Sequence, residues 1–346
     1  MRRQDSTAVR LLLFILALLP SVSCLGQTFE GNEVSRDVRE MMDRGLSFLV
    51  RTQSDSGDWN DGGEPGAGTT ALGLLSLLSS GEDPNFGKYH IAVGKAVRNI
   101  LATQDSESGY MGSSMYHHGF ALLALAEAYG SVDENQLWQG ASQADRTGIG
   151  QALELGVRCA ITSQKNNTRG GWRYSPGAKD ADTSVSGAVL MGLLAARNAG
   201  IEVPDEAINR VIDYFIGMTS DDGAVAYAGG LDGFGESISR SAITCLVFSI
   251  SRRKDLPQYQ ATEKYVRNHL SQRSGWMEYA RYYQAQALFQ ADTAAWGEWN
   301  QGLIRTLQRQ QNDDGSFRGD LGTANSTSLS LLALAVNYRL LPIYER

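Results

Sequence analysis

Proline is nearly missing from this chain, at 7 of 346 residues, so long helices run uninterrupted and the breaks between them fall to glycine, present 38 times. The β-branched alternation that strands need is also scarce, which leaves an all-α reading. Cysteine is scarcer still, 3 in all with no Cys-x-x-Cys pair, which argues against a disulfide scaffold and gives structural zinc no ligand set. Basic residues (31) are outnumbered by acidic ones (38), a formal net charge of −7. That balance argues against nucleic acid as a partner, because such affinity rests on clustered Lys and Arg neutralising phosphates. The apolar run from Leu11 to Leu19 has nine residues and is too short for a transmembrane span, which takes about 20.

That run follows Arg2, Arg3 and Arg10 and precedes Pro20 and the small residues Ser21 to Cys24. Residues 1 to 26 therefore read as a signal peptide, and the protein as secreted or periplasmic. Cleavage after Ser23 and cleavage after Gly26 fit equally well. Lipid attachment at Cys24 is disfavoured by Ser21, which stands where such signals carry an aliphatic residue. Loss of the segment removes three Arg and Asp5, a net +2, and moves the formal charge from −7 to −9. Cys159 and Cys245 would then remain, each inside an apolar helical run where a buried free thiol is the simpler expectation.

What the chain has in abundance is one punctuation, glutamine, then glycine, then an aromatic, six times over. The copies are Gln53 to Gly57 with Trp59, Gln104 to Gly109 with Tyr110, Gln164 to Gly171 with Trp172, a worn Thr219 to Gly223 with Tyr227 beyond, Gln272 to Gly275 with Trp276, and Gln311 to Gly315 with Phe317. Steps between the glycines are 52, 62, 52, 52 and 40 residues, each enough for one helical hairpin and its loops. Glycine suits the unusual backbone at a helix exit, the aromatic can lie back over the helix end, and the glutamine can bond backbone groups left over there.

Each repeat has two helical halves. Before the glycine runs an amphipathic segment with apolar residues three and four apart, as in Ile208, Val211, Ile212 and Phe215; these predict outer helices with one wet face. After it runs a nearly uncharged segment rich in Leu, Ala, Gly and Ser, such as Ser184 to Ala196, which predicts an inner helix buried nearly all round. The last inner segment, Ser326 to Tyr338, is as apolar as the central ones, and an open stack would leave it uncovered. The expectation is a single domain over residues 33 to 343, an α6/α6 toroid of six helical hairpins.

The segments TQSDSGDW (Thr52 to Trp59), TSQKNNTRGGWRYSPGAKDADTSVSG (Thr162 to Gly187) and QNDDGSFRG (Gln311 to Gly319) resemble the glutamine-tryptophan repeats of the squalene cyclase and protein prenyltransferase superfamily. The resemblance covers about residues 33 to 340 and implies a terpenoid cyclase-like toroid with a cavity inside the ring, open at one end. Class II terpenoid cyclases protonate an alkene with an Asp from an Asp-x-Asp-Asp or Asp-x-Asp-Thr stretch. Asp180-Ala181-Asp182-Thr183 looks like the second form, which would make Asp182 the acid and Asp180 its neighbour. Asp182 is equally a natural N-cap for the helix that follows. Those cyclases enclose substrate between two barrels, and one is present here. The prenyltransferase zinc set of Asp, Cys and His has no counterpart: the mature chain has His90, His117, His118 and His269 and no Asp-x-Cys, so no metal and no cofactor are expected.

Loops entering the inner helices should gather at one end of the ring. That makes Trp59, Tyr116, His117, Trp172, Arg173, Tyr174, Arg240 and Tyr282 candidate ligand contacts, suited to stacking on a sugar or shielding an apolar ligand. The longest such loop, Gly170 to Thr183, carries both charge signs, and an Arg173 pair with Asp180 or Asp182 would account for them. These residues favour an exported module that binds a hydrophobic small molecule, a protein or a glycan at the mouth, with catalysis not established. The alternative is acid catalysis by Asp182 on an isoprenoid, or less favourably a carbohydrate-active site.

Overall fold

The structure, a computed structural model, describes residues 34–60, 66–142, 146–231 and 237–344. The segment read as a signal peptide, with Cys24, lies outside them. The described residues form helices α1 (Arg36–Thr52), α2 (Ala67–Leu78), α3 (His90–Ala102), α4 (Met115–Ala128), the short α5 (Glu134–Leu137), α6 (Ile149–Lys165), α7 (Thr183–Asn198), α8 (Asp205–Gly217), α9 (Ile238–Ile250), α10 (Pro257–Asn268), α11 (Met277–Ala291), α12 (Thr293–Gln310) and α13 (Thr323–Ala335). Among them strand pairing is limited to isolated bridges, and no helix is long and apolar enough to cross a membrane.

Apart from α5 the helices alternate in kind. In α1 the buried residues are the stripe Val38, Met41, Met42, Gly45, Leu46, Phe48 and Leu49, whereas α2 is buried along its whole length except Leu78. The second kind forms a ring: α2 packs on α4, α4 on α7, α7 on α9, α9 on α11, α11 on α13, and α13 returns to α2. Outer helices cover the seams, α1 touching α13 and α2, α3 touching α2 and α4, and α6 touching α4 and α7. Between α4 and α7 the approach is close because Gly119 faces Gly192, where an added Cβ would lie 2.5 Å from the Gly119 carbonyl oxygen.

The repeated glutamine is a clamp between hairpins. Gln53 Nε2 donates to the carbonyls of Gly57 and Ala92, both at 3.0 Å, so one side chain ties its own loop to the next outer helix. Gln104 joins Gly109 to Ala152, Gln164 joins Gly170 to Ala207, and Gln311 joins Gly315 to Met41. Three residues beyond each helical acceptor, the glycine of the loop lies on that helix's backbone: a Cβ at Gly57, whose φ is +93°, would overlap the Lys95 carbonyl. Gly109, Gly223 and Gly315 rest in the same way on Leu155, Ala261 and Arg44.

Two assignments of the repeat change. In the third copy the left-handed residue is Gly170, which rests on Arg210, and not Gly171, whose Cβ would instead meet Ser186 and Tyr214 side chains. In the fifth copy Gly275 lacks a positive φ and has open space around it, and no bond from Gln272 to a neighbouring hairpin occurs among the described residues, so that copy has lost the clamp. The uneven steps have plain causes. The 62-residue step holds α5, and the 40-residue step follows from Asp292 serving at once as C-cap of α11 and N-cap of α12.

The entry ends of the inner helices meet all the way round. Gly66 lies against His117, Met115 N donates to Tyr174 O at 2.8 Å, and Thr183 N donates to Tyr227 O at 3.0 Å. Ser239 Oγ meets Ser274 Oγ at 3.2 Å, Gly319 lies against Glu278, and Asn325 Nδ2 donates to Thr69 Oγ1 at 3.2 Å. Among the described residues the entry ends of these inner helices therefore share one pole, the mouth. Inside the ring the bore is occupied by side chains, contrary to the cavity that the resemblance implies. From the opposed helices α4 and α11, Tyr116 meets Tyr279 with centroids 6.2 Å apart and Phe120 meets Tyr282 at 6.3 Å, and Tyr283 packs edge-on to both Tyr279 and Tyr282. At the far end the C-terminal turn docks on α4, where Ile343 N donates to Glu127 Oε1 at 3.2 Å.

Candidate functional site at the mouth of the ring

The loop from Gly170 to Thr183 is pinned on both flanks. Asp182 N donates to Trp172 O at 2.9 Å, Thr183 Oγ1 donates to Ala226 O at 3.0 Å, and Tyr174 O receives Met115 N. This fixes Arg173 between two rings, its guanidinium carbon 5.7 Å from the Tyr174 centroid and 5.3 Å from that of Tyr227. The two phenol hydroxyls are 2.9 Å apart. A cation stacked between aromatic faces gains from both quadrupoles, and here it also bridges two carboxylates, Nη1 to Asp180 Oδ2 at 3.1 Å and Nε to Asp182 Oδ2 at 3.6 Å.

Asp182 is fully buried and caps α7, its Oδ1 accepting Val185 N at 2.8 Å. Its Oδ2 accepts no hydrogen bond among the described residues. Burial, the largest influence, raises its pKa from 3.8 to about 6, against the pull of the Val185 N–H and of Arg173. Tyr116 and Tyr279 feel this carboxylate and are themselves held protonated by burial, Tyr279 at about 12. The acid thus stands beneath Arg173 and beside neutral phenols, and it lines neither of the two hollows described below.

The structure brings Asp180, Asp182, Arg173 and Tyr174 into one cluster, with Tyr116 alongside. Of the other candidates Trp172 adjoins the cluster through its carbonyl, which accepts from Asp182 N, and the rest have packing or backbone contacts of their own. Trp59 and Trp172 are buried, and each indole N–H donates to a carbonyl of the preceding outer helix, Leu49 O at 2.8 Å and Ala160 O at 2.9 Å. His117 is buried under Gly66, Gly68 and Gly112, and Tyr282 belongs to the bore. Arg240 donates from Nε to Val225 O at 2.8 Å, tying α9 to the loop before it. Trp276 stands at the N-cap of α11 and is 55% exposed.

Two hollows adjoin the mouth. One, of about 270 Å³, lies at the seam of the first and last repeats among Phe48, Thr52, Trp59 and Arg318. The larger, of about 900 Å³, runs outside the Gly170 loop between α6 and α8, with Lys165, Arg169, Asp180, Arg210, Asp213 and Tyr214 on its walls. Sequence reading missed this groove because its walls come from separate hairpins, and Tyr214 reads there as one more apolar residue of the α8 stripe. Among the described residues no three His, Cys, Asp or Glu side chains gather in a metal-binding group, and Cys159 and Cys245 are buried and unbridged.

A ring of parallel inner helices sheathed by outer ones, with its entry loops at one pole, defines an α/α toroid. The chain belongs to the family described as a domain of unknown function, DUF6288, whose model matches residues 39–314. No curated protein matches it in sequence. Among solved structures it is similar to the α-1,6-mannanase GH76A of Salegentibacter sp. HEL1_6, an inactive variant in complex with α-1,6-mannotriose. The TM-score is 0.66 at 11% identity, over 87% of this chain and 99% of that one. A family 76 glycoside hydrolase from a bovine Bacteroides thetaiotaomicron strain gives 0.64 at 9% identity, over 88% and 78%. The type II terpene cyclase MstE from Scytonema, in a variant holding geranylgeranyl dihydroxybenzoate, gives 0.58 at 16% identity, over 88% and 98%. At such identities the likeness is one of fold.

Proposed function

We propose that this protein is an exported saccharide-binding toroid, with the ligand seated on the mouth over Arg173, Tyr174 and Tyr227. The observation that carries this reading is the filled bore: an isoprenoid needs an enclosed apolar chamber, and tyrosine rings occupy that space. The mouth instead offers Tyr174, 50% exposed, beside a cation and hydroxyls, the mixture of flat apolar face and hydrogen-bonding edge that suits a sugar. The complex of the similar mannanase with α-1,6-mannotriose supports the choice of ligand class. Titration calorimetry with α-1,6-mannotriose and other neutral oligosaccharides tests it. Binding should weaken by about tenfold or more in Tyr174→Ala, the cost of about 1.4 kcal/mol for a lost stacking face, with circular dichroism showing the fold retained. Absence of binding by any oligosaccharide at millimolar concentration would discard the reading.

A second reading is favoured by Asp182 Oδ2, which accepts no hydrogen bond and has only the Arg173 ion pair at 3.6 Å, and by a pKa of about 6, which keeps this buried carboxylic acid protonated in mildly acidic solution. Proton donation from it to an isoprenoid alkene requires Arg173 and Tyr174 to swing aside. Turnover of a polyprenyl substrate that vanishes in Asp182→Asn would establish it; no turnover by the wild type would end it.

A further inference from the structure

The groove between α6 and α8 differs from the rest of this acidic chain in its charge. Of its charged wall residues, Arg210 is paired with Glu206 at 3.1 Å and Asp180 with Arg173 at 3.1 Å. Lys165 and Arg169 remain with no carboxylate partner among the described residues, facing a groove whose other charged wall is Asp213. Arg169 is held in place through its own backbone, its N–H donating to Asn167 Oδ1 at 2.7 Å while Asn167 Nδ2 donates to Asp180 O at 2.5 Å.

Tyr214 adds a second, independent sign. It lines the groove at 7% exposure, and its hydroxyl has no hydrogen-bond partner among the described residues. A buried phenol left unpartnered costs stability unless something else accepts from it. Asp180 and Ala181 of the loop that builds the mouth also line this groove, and the same hydroxyl interacts electrostatically with Asp182, Arg173 and Arg169.

We propose that this groove takes an anionic sugar unit, a uronate or a sulfated residue, as the continuation of a glycan bound at the mouth. Its anionic group would sit on Lys165 and Arg169, and its ring hydroxyls on Asp213 and the Tyr214 phenol. Two cations suit a carboxylate or sulfate, while one carboxylate and one phenol supply an acceptor and a donor for hydroxyls, so a simple inorganic anion leaves half of the walls unused. The proposal rests on the saccharide reading of the mouth, and the test separates the two.

Calorimetry would compare three probes, an oligogalacturonate, a sulfated oligosaccharide and a neutral mannotriose, on the wild type, on Lys165→Gln/Arg169→Gln and on Tyr174→Ala. The acidic probe of the right chemistry should bind tighter than the neutral one, weaken with added salt, and lose about tenfold or more in the double variant, with the neutral probe unaffected there. Tyr214→Phe should weaken the acidic probe several-fold, and circular dichroism should show it folded. Equal affinity of acidic and neutral probes, or an undiminished acidic probe in the double variant, overturns the proposal even if the mouth binds mannotriose. Acidic binding that survives while mannotriose fails retains the groove and removes the mouth reading.

Discussion

Gln311 donates from Nε2 to the backbone carbonyl of Met41 at 2.9 Å, across 270 positions of sequence, and to its own loop at Gly315 O, also at 2.9 Å. The bond that joins hairpins at Gln53, Gln104 and Gln164 here joins the last hairpin to the first, so the ring is closed by the same device that ties its first hairpins together. Gln311→Ala would strip a donor from two partly buried carbonyls and should cost about 1–3 kcal/mol in chemical denaturation. Gln272→Ala is the control, because that side chain has no such clamp and should cost clearly less. Equal losses would mean that the clamp contributes nothing specific to closure.

The glycine of the clamp is as constrained as the glutamine. Gly315 has φ +89° and rests on the Arg44 backbone, so Gly315→Ala introduces both a strained conformation and a steric overlap. A loss of about 2–4 kcal/mol is expected, by the scale of strained backbone plus overpacking. Gly275 has neither constraint, and Gly275→Ala should be neutral or stabilising by up to about 1 kcal/mol. Melting curves of the two variants would check the contrast, and a destabilised Gly275→Ala would restore the fifth repeat to the pattern.

Helix kind and ring closure were legible in the sequence because both follow from local composition: an apolar stripe reports one wet face, and a charge-free run reports none. Register to within one residue was not legible. Gly170 and Gly171 are indistinguishable as letters, and only the backbone shows which of them reaches Arg210. The state of the bore was beyond reading for another reason. Tyr116 and Tyr279 meet across it from helices 163 positions apart (279 − 116), and nothing local to either residue says how wide the ring is. Asp182 was legible as a cap and as a lone acid at once, because burial at an N-cap raises a carboxylate's pKa whether or not a substrate is present.

Asp182 makes stability depend on pH in an unusual direction. Its folded pKa of about 6 lies above its ordinary 3.8, so between these values the folded protein holds the proton that the unfolded chain has released. Its contribution is full below about 4 and is lost as pH rises through about 6, a change of roughly 3 kcal/mol at 1.36 per unit. Asp182→Asn retains an oxygen for the Val185 N–H and has no such titration. The stability of wild type relative to this variant should therefore fall between pH 4 and pH 6.5 in denaturant titrations, whereas a constant difference across that range would show that the carboxylate is ionised throughout.

The bore itself can be probed at Tyr283, which is fully buried and whose hydroxyl makes no close hydrogen bond among the described residues, only a longer interaction with the Tyr279 hydroxyl. Two substitutions there have opposite expected signs. Tyr283→Ala leaves a hole between Tyr279 and Tyr282, and should cost about 3–5 kcal/mol as large aromatic truncations do. Tyr283→Phe keeps the ring and removes a polar group whose contact with Tyr279 is long, so it should be neutral or stabilise by up to about 1 kcal/mol. Denaturation of both, with a test of whether indole or benzene rescues the alanine variant, distinguishes a dry plug from a wet one. If the phenylalanine variant is the less stable by more than about 1 kcal/mol, the hydroxyl is hydrogen-bonded in the bore, to Tyr279 or to water, and the plug is held by more than ring packing.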